Sequence, residues 1–272
     1  MSKAIFEKPN IKELRKQGYN CVDMHCHTRY SDGMPSIEQI YRHCRKKGIG
    51  VAITDHNEIK GALKIAKYKN FLSIPGIETT SSEGIHTLFY FYDPKELEEF
   101  HKKVIEKNLS ENPFSDLKIS VTDIVEKAKG YNCLASAAHP FAPGNTGIYG
   151  FTKKKKYRDL LRKIDFVEAI NACTFHNQNQ KAADWGMRLG KNFTGGSDAH
   201  TSQFIGMVVT ATRGEDFLDS IKKESLVVGK EVNSLLISLR CMLKVRMFSR
   251  FPKFYIKKLI RERLGKQDEK AP

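Results

Sequence analysis

Residues 23–33 read DMHCHTRYSDG, which sets His25 and His27 two apart with Asp32 five positions further on. In a strand, residues i and i+2 face the same side, so an HxH pair can present two imidazoles to one place. The same spacing recurs as DxH in NFTGGSDAH, at Asp198 and His200. Between these pairs, His56 follows VAIT, Glu78 ends FLSIPGIE, His86 opens HTLFYFY and His139 ends NCLASAAH. Imidazole nitrogens and carboxylate oxygens bind divalent ions such as zinc, manganese and iron, at about 2.0–2.2 Å for zinc. These candidates are more than one tetrahedral ion can use. Two or three ions (Mn2+, Zn2+ or Fe2+), with a carboxylate bridging a pair, fit better. Clustered ions bind and polarise a phosphoryl group, hold hydroxide near neutral pH and stabilise a leaving oxygen.

The elements that must position these residues alternate between strand and helix. YNCVDMHCH reads as a strand, and PSIEQIYRHCRKKG as a helix opened by a Ser36/Gln39 capping box and ended by Gly48. IGVAITDH, FLSIPGIE and IHTLFYFYD follow as strands, with EIKGALKIAKYK helical between the first two. PKELEEFHKKVIEK and VTDIVEKAKG read as helices, NCLASAAHP and DFVEAINA as strands, and NQKAADWGMRLG as a helix. NFTGGSDAH, FIGMVVTAT and DFLDSIKKE complete the series. Repeated βα units with buried strands imply a parallel sheet or a barrel covered by helices. In α/β barrels the carboxyl ends of the strands converge on one mouth. Six of the nine histidines fall there, beside Asp32, Glu78 and Asp198.

Composition bounds the answer. At 272 residues the chain can form one large α/β domain with an appendage. The N-terminal stretch has no apolar core region, so no secretory signal is expected, and no run is apolar enough to predict a spanning helix. Six cysteines without a CxxC pair favour reduced thiols and a cytoplasmic location. The formal net charge of +15 suits an anionic partner.

The motifs DMHCHTRYSDG, ITDHNEI, PGIE, IHTLFYFYD, AAHP and GSDAH, in this order from about residue 20 to 205, resemble those of the PHP (polymerase and histidinol phosphatase) family. The resemblance implies a distorted (β/α)7 TIM-like barrel and metal-dependent hydrolysis of phosphoesters, by attack of metal-held hydroxide on phosphorus. It implies three ligand sets. His25, His27, Glu78 and Asp198 would surround one ion, Glu78, His86 and His139 a second, and Asp32, His56 and His200 a third. Some family members carry histidine where Asp32 stands. The closer likeness is to small phosphoesterases, including nucleotide phosphatases and oligonucleotide exonucleases, and the alternative is a small-molecule monoester phosphatase of the histidinol-phosphatase type. The barrel is placed at 18–230, with a basic extension at 231–272.

Other residues carry two readings each. Asp32 in SDG also suits a turn. Asp23 reads as structural or as a holder of a histidine ring. Cys26 should point away from its neighbours, His43 and His101 should lie on the surface, and Trp185 should pack in the core. Arg29 and His176 are candidates to contact phosphate, and Asn171 to reach the mouth. From Glu231 onward the chain has 11 basic and 4 acidic residues, with Leu235, Leu239, Met242, Leu243 and Met247 near one helical face. That segment reads first as a helix closing the barrel, then as an arm for RNA or DNA, or an amphipathic helix on anionic membrane. The expected ligands are a phosphorylated small molecule, a nucleotide or an oligonucleotide, with no protein partner. An amidohydrolase would want a bridging lysine in place of Glu78. A non-catalytic scaffold would be expected to have lost ligands, and none is missing.

Overall fold

Short apolar runs form the strands of a single mixed sheet. The computed structural model describes residues 2–111, 115–142, 146–152 and 154–232. The strands are β1 (Lys3–Ile5), β2 (Asn20–Asp23), β3 (Gly50–Ile53), β4 (Ser73–Thr80), β5 (His86–Phe91), β6 (Cys133–Ala137), β7 (Phe166–Asn171), β8 (Asn192–Gly196), β9 (Val208–Thr212) and β10 (Leu226–Gly229). They pair in the order β1-β10-β9-β2-β3-β4-β5-β6-β7-β8.

The strands β2 to β8 follow one another around a ring. Within it every pairing is parallel except those of β5, which runs antiparallel to both β4 and β6. The reversal puts the first residue of β5, His86, at the end of the ring where the other strands finish. The ring closes where the chain beyond β8 returns to β2. There the Asp198 N–H donates to His25 O (2.8 Å) and the His27 N–H to Ala199 O (3.0 Å). The result is a nearly closed, TIM-like barrel, one of the two forms that the βα alternation allows and the one that the family resemblance implies.

The remaining strands extend the sheet outside the ring: β9 is antiparallel to β2, β10 antiparallel to β9, and β1 parallel to β10. Packing therefore begins ahead of residue 18, with Lys3–Ile5. It also continues past residue 230, since Glu231 is buried and the Val232 N–H donates to Ala172 O. The basic segment from residue 233 to 272 lies outside the described residues.

The helices are α1 (Ile11–Lys16), α2 (Ile37–Lys47), α3 (Lys60–Ile65), α4 (Pro94–Phe100), α5 (Val121–Ala128), α6 (Lys155–Lys163), α7 (His176–Arg188) and α8 (Phe217–Lys223). The expected capping box opens α2: Ser36 Oγ accepts from the Gln39 N–H, and the Gln39 side chain from the Ser36 N–H. Its buried stripe is Ile37, Ile40 and Cys44, and Gly48 ends it in the left-handed conformation (φ 72°), which glycine adopts at no steric cost. Cys26 packs in the main apolar cluster and Trp185 is buried, both as expected.

The segment read as one helix over 94–107 is α-helical only to Phe100, then passes through a π turn (His101–Ile105) and a 3-10 turn (Glu106–Asn108). His101 consequently faces inward. It is buried, with Nε2 3.0 Å from Asn57 O, and this corrects its placement on the surface. His43 is half-buried, with Nε2 3.2 Å from Ile205 O.

Closure leaves no room at Gly196, where a Cβ would stand 2.3 Å from both the backbone N and the Cβ of His25. Gly196→Ala should therefore lower stability by about 3 kcal/mol, at the upper end of overpacking costs. Urea unfolding would measure this, and an unchanged midpoint would mean that the ring does not close here.

Candidate metal centre

The ring's geometry brings all nine candidate ligands to one mouth. Two come from the end of the first ring strand, where His25 Nε2 and His27 Nε2 stand 3.2 Å apart. Two donors at about 2.0 Å from a tetrahedral ion are separated by roughly 3.3 Å. Asp198 Oδ1 lies 3.1 Å from His27 Nε2 and 3.6 Å from His25 Nε2. Glu78 Oε2 is 3.2 Å from His25 Nε2 and 3.3 Å from His27 Nε2.

The other oxygen of Glu78 faces a second group, with Oε1 3.0 Å from His86 Nδ1 and 3.2 Å from His139 Nε2. His56 stands between groups: its Nδ1 is 3.2 Å from Glu78 Oε2 and its Nε2 3.7 Å from Asp32 Oδ2. Asp32 Oδ2 is also 2.9 Å from His200 Nε2, and Asp32 Oδ1 3.6 Å from His27 Nδ1. Three subsets are tight enough to hold an ion: His25, His27 and Asp198; His56, Glu78 and His86; and His27, Asp32, His56 and His200. The third subset thus gains His27, beyond the Asp32–His56–His200 set that the resemblance implies.

The donor chemistry fits divalent cations. His139 Nδ1 is buried without a hydrogen-bond partner among the described residues, while His27 Nδ1 and His56 Nδ1 face carboxylate oxygens at 3.6 and 3.2 Å without hydrogen-bond geometry, an arrangement that costs free energy unless something else meets them. Exposure is graded. His25 and His27 are sealed, while the Asp32 side chain is 36% exposed and that of His200 22%.

Burial alone would raise the carboxyl pKa of Glu78, but His25, His56 and His86 hold it well below its ordinary value. Burial likewise opposes the charge of Asp198, which His25 and His27 outweigh, and of Asp32, which His200, His56 and His27 outweigh; both lie well below the ordinary range. For His25, burial is overcome by Glu78, Asp198 and Glu168, and its pKa rises well above the ordinary range. For His200, burial is overcome by Asp32 and Asp198, and the pKa reaches about 10. His56 goes the other way: burial outweighs Glu78 and Asp32 and brings it down to about 4.

Three buried acids support the ligands. Glu168 Oε1 is 2.9 Å from His25 Nδ1, while its Oε2 accepts from the His139 N–H (2.7 Å) and from Asn171 Nδ2 (3.1 Å). Asp55 accepts from the Thr28 N–H (2.6 Å), Thr28 Oγ1 (2.7 Å) and Ser31 Oγ (2.7 Å), tying down the loop that delivers Asp32. Asp23 accepts from the N–H groups of His25, Ser197 and Gly206. It holds backbone, and the ring-holding role considered for it belongs to Glu168. The sequence signal for Glu168 was present, since one acid inside a fully buried strand needs a partner. Asn171 does reach the mouth, with Nδ2 3.2 Å from Asp198 Oδ2.

Arg29 is exposed on the loop after β2, and no hydrogen bond or ion pair engages its guanidinium among the described residues. His176 opens α7, with Nδ1 3.0 Å from Glu231 Oε1 and its ring against the edge of Phe6. It is not in any of the ligand groups.

Residues 23–176 match the family model described as PHP domain, and residues 176–226 the one described as PHP-associated. An uncharacterized protein of Methanocaldococcus jannaschii is 31% identical over 167 residues, covering 56% of this chain and 81% of its own. The fold is similar to that of a lesion-specific endonuclease, Endonuclease Q, from Pyrococcus furiosus (TM-score 0.58, 22% identity, 75% of this chain and 55% of that one). Another Endonuclease Q structure, in complex with a 27-mer duplex substrate that has an abasic lesion at the active site, gives a TM-score of 0.60 at 21% identity, with 75% and 56% coverage. An amidohydrolase from Chromobacterium violaceum, solved with bound sulfate, gives 0.55 at 18% identity, with 68% and 89% coverage.

Two outcomes follow from the geometry. Glu168→Ala should weaken metal binding by about 10–100-fold, the usual effect of losing the partner that orients a ligand. Competition against a chromogenic chelator would measure it, and wild-type affinity would dismiss the orienting role. Protons and metal ions compete for the same nitrogens. Because His25 and His200 keep their protons through neutral pH, affinity should rise between pH 6 and 8, with protons released on loading. Calorimetry in buffers of different ionisation enthalpy would detect the release, and equal affinity at both pH values without it would contradict the charged rings.

Proposed function

The chain belongs to the PHP family, and from that premise we propose that it is a metal-dependent phosphoesterase acting on nucleotides or short oligonucleotides. The observation that carries the reading is Glu78, whose two oxygens face separate histidine groups, as a carboxylate bridging two cations would. His25, His27, Asp198 and His200 are the proposed catalytic ligands, with Asp32, His56, Glu78, His86 and His139 completing sites for two or three ions (Mn2+, Zn2+ or Fe2+). Bound there, such ions supply Lewis acidity toward a phosphoryl group and the water that attacks it.

The protein's own part is positioning and exclusion. Glu168 fixes the orientation of the His25 ring, Asn171 steadies Asp198, and the Asp55-bound turn aims Asp32. The floor of the site, at His25 and His27, is closed to water. Phosphate enters from the exposed side, past Asp32 and His200, where the free guanidinium of Arg29 meets its charge. That an Endonuclease Q structure carries a 27-mer duplex substrate with an abasic lesion supports nucleic-acid phosphates as the substrate class.

A 5′-phosphorylated RNA oligomer incubated with manganese tests this, with Asp198→Ala as control. Stepwise release of mononucleotides, reduced by at least about 10³-fold in the variant, is the expected result for loss of a ligand to the reacting centre. Release of inorganic phosphate alone would redirect the reading to a terminal phosphatase. Intact RNA with metal bound would overturn the oligonucleotide reading.

A further inference from the structure

Between β6 and α6 the chain makes a long excursion, and the features of its described residues are not used by the metal centre. Thr146 O accepts from the N–H of the ligand His86 (3.0 Å), so the excursion starts at the site itself. The Tyr149 N–H then donates to Pro140 O (3.0 Å), the Thr152 N–H to Tyr149 O (3.1 Å), and the Lys154 N–H to Phe151 O (3.1 Å). One turn into α6, the Tyr157 hydroxyl reaches Glu83 Oε1 (3.3 Å), in the hairpin that joins the Glu78 and His86 strands. The first turn of α6 is thereby fixed at the rim, beside the second ligand group.

That rim is basic. The sequence places four consecutive lysines at 153–156, followed by Arg158. Lys154, Lys155 and Arg158 are exposed, and none has an ion-pair partner among the described residues. The placement opposes local stability. Lys154 occupies the N-cap of α6 with no side-chain cap bond, and the first turn holds no acid, although a helix N-terminus disfavours cations. An external anion would relieve this repulsion.

The rim is also aromatic. Tyr149 is 42% exposed and stacks on Phe141, with centroids 4.0 Å apart and planes 27° from parallel. Trp185 supports both rings edge-on at 5.7–5.8 Å. An exposed ring backed in this way, five residues from a row of cations, has the two parts of a single-strand binding surface: a stacking platform and a phosphate track.

We propose that Tyr149 with Lys154, Lys155 and Arg158 forms a track for the single-stranded nucleic acid flanking the phosphate at the metal centre. Tyr149 stacks one base and the basic side chains bind successive phosphates. The inference rests on the phosphoesterase reading and adds to it that the substrate is a strand, held beyond the scissile ester.

The test uses the full chain with manganese and a fluorescein-labelled, phosphorothioate-linked oligothymidylate of roughly 12 nucleotides, within the usual reach of such surfaces. Anisotropy is followed over a salt series. The double variant Lys154→Glu/Lys155→Glu should weaken binding by about tenfold or more and flatten the log–log salt slope by more than about 1. Tyr149→Leu, which keeps an apolar cover on Trp185, should weaken it by about tenfold without changing the slope. Lys222→Glu/Lys223→Glu, on α8, controls for net charge. Equal losses in the rim and control variants, or none in either, would overturn the track. So would a rim variant that loses binding to phosphatidylserine vesicles while keeping the oligonucleotide. Cleavage of bis(p-nitrophenyl) phosphate by the wild-type preparation reports on the underlying reading separately. Cleavage without rim-dependent binding defeats the track alone, and no cleavage of this diester or of the monoester p-nitrophenyl phosphate defeats the phosphoesterase reading whatever the strand does.

Discussion

The carboxylate of Glu78 is the constraint around which the rest is arranged. It is 1% exposed and ionised, a state costing several kcal/mol unless cations or donors surround it. Five imidazoles do so: His25, His27 and His56 around one oxygen, His86 and His139 around the other. Satisfying that one group from five places dictates the topology. The parallel bridge of His56 to Glu78 brings in the second ring strand, and the reversed β5 brings His86 opposite Thr80, one turn of the pleat from Glu78. A uniformly parallel ring would leave the start of β5 at the far end of the barrel.

Behind the ligands lies a division of labour among acids. Glu78, Asp198 and Asp32 face imidazole nitrogens. Asp23, Asp55 and Glu168, all buried, accept mainly from backbone N–H and hydroxyl groups, and Glu168 adds a single ring. For Asp23, burial outweighs the four hydrogen bonds it accepts and brings the pKa up to about 6, whereas the imidazole-rich setting of Asp198 depresses it. Similar burial with different neighbours separates acids that organise backbone from acids suited to hold cations.

Most of the ligands were legible in the sequence because they sit where a short buried run ends in a residue that such a run would otherwise exclude; His86, which opens its strand, and Asp32, in a loop, are the exceptions. Two-residue spacing singled out the HxH and DxH pairs, although both lie just past their strands, which end at Asp23 and Gly196, and six motifs in family order implied the barrel by resemblance. What stayed hidden depends on contacts distant in sequence. Glu168 acquires its meaning only from His25, 143 residues away. Periodicity followed His101 through one uninterrupted helix, but a π turn shifts its phase and turns the ring toward Asn57. Lys3–Ile5 is too short to announce itself as a strand and exists because β10 offers it an edge. The shared use of His27 and His56 between groups is likewise a matter of side-chain reach, which spacing does not report.

The hydrogen bond from the Asp198 N–H to His25 O closes the ring and also sets two ligands side by side, although they stand 173 positions apart in the chain. Contacts of such sequence separation form late, because the loop entropy must be met before they contribute. On the ribosome, the histidines of the first ring strand would emerge long before their carboxylate partner. A nascent chain that has not yet reached Asp198 therefore presents the earlier imidazoles without that carboxylate, a more open donor set than the finished cage. The donor set is thus complete only once Asp198 and His200 have been added to the ligands of the earlier strands, when the barrel can close around it.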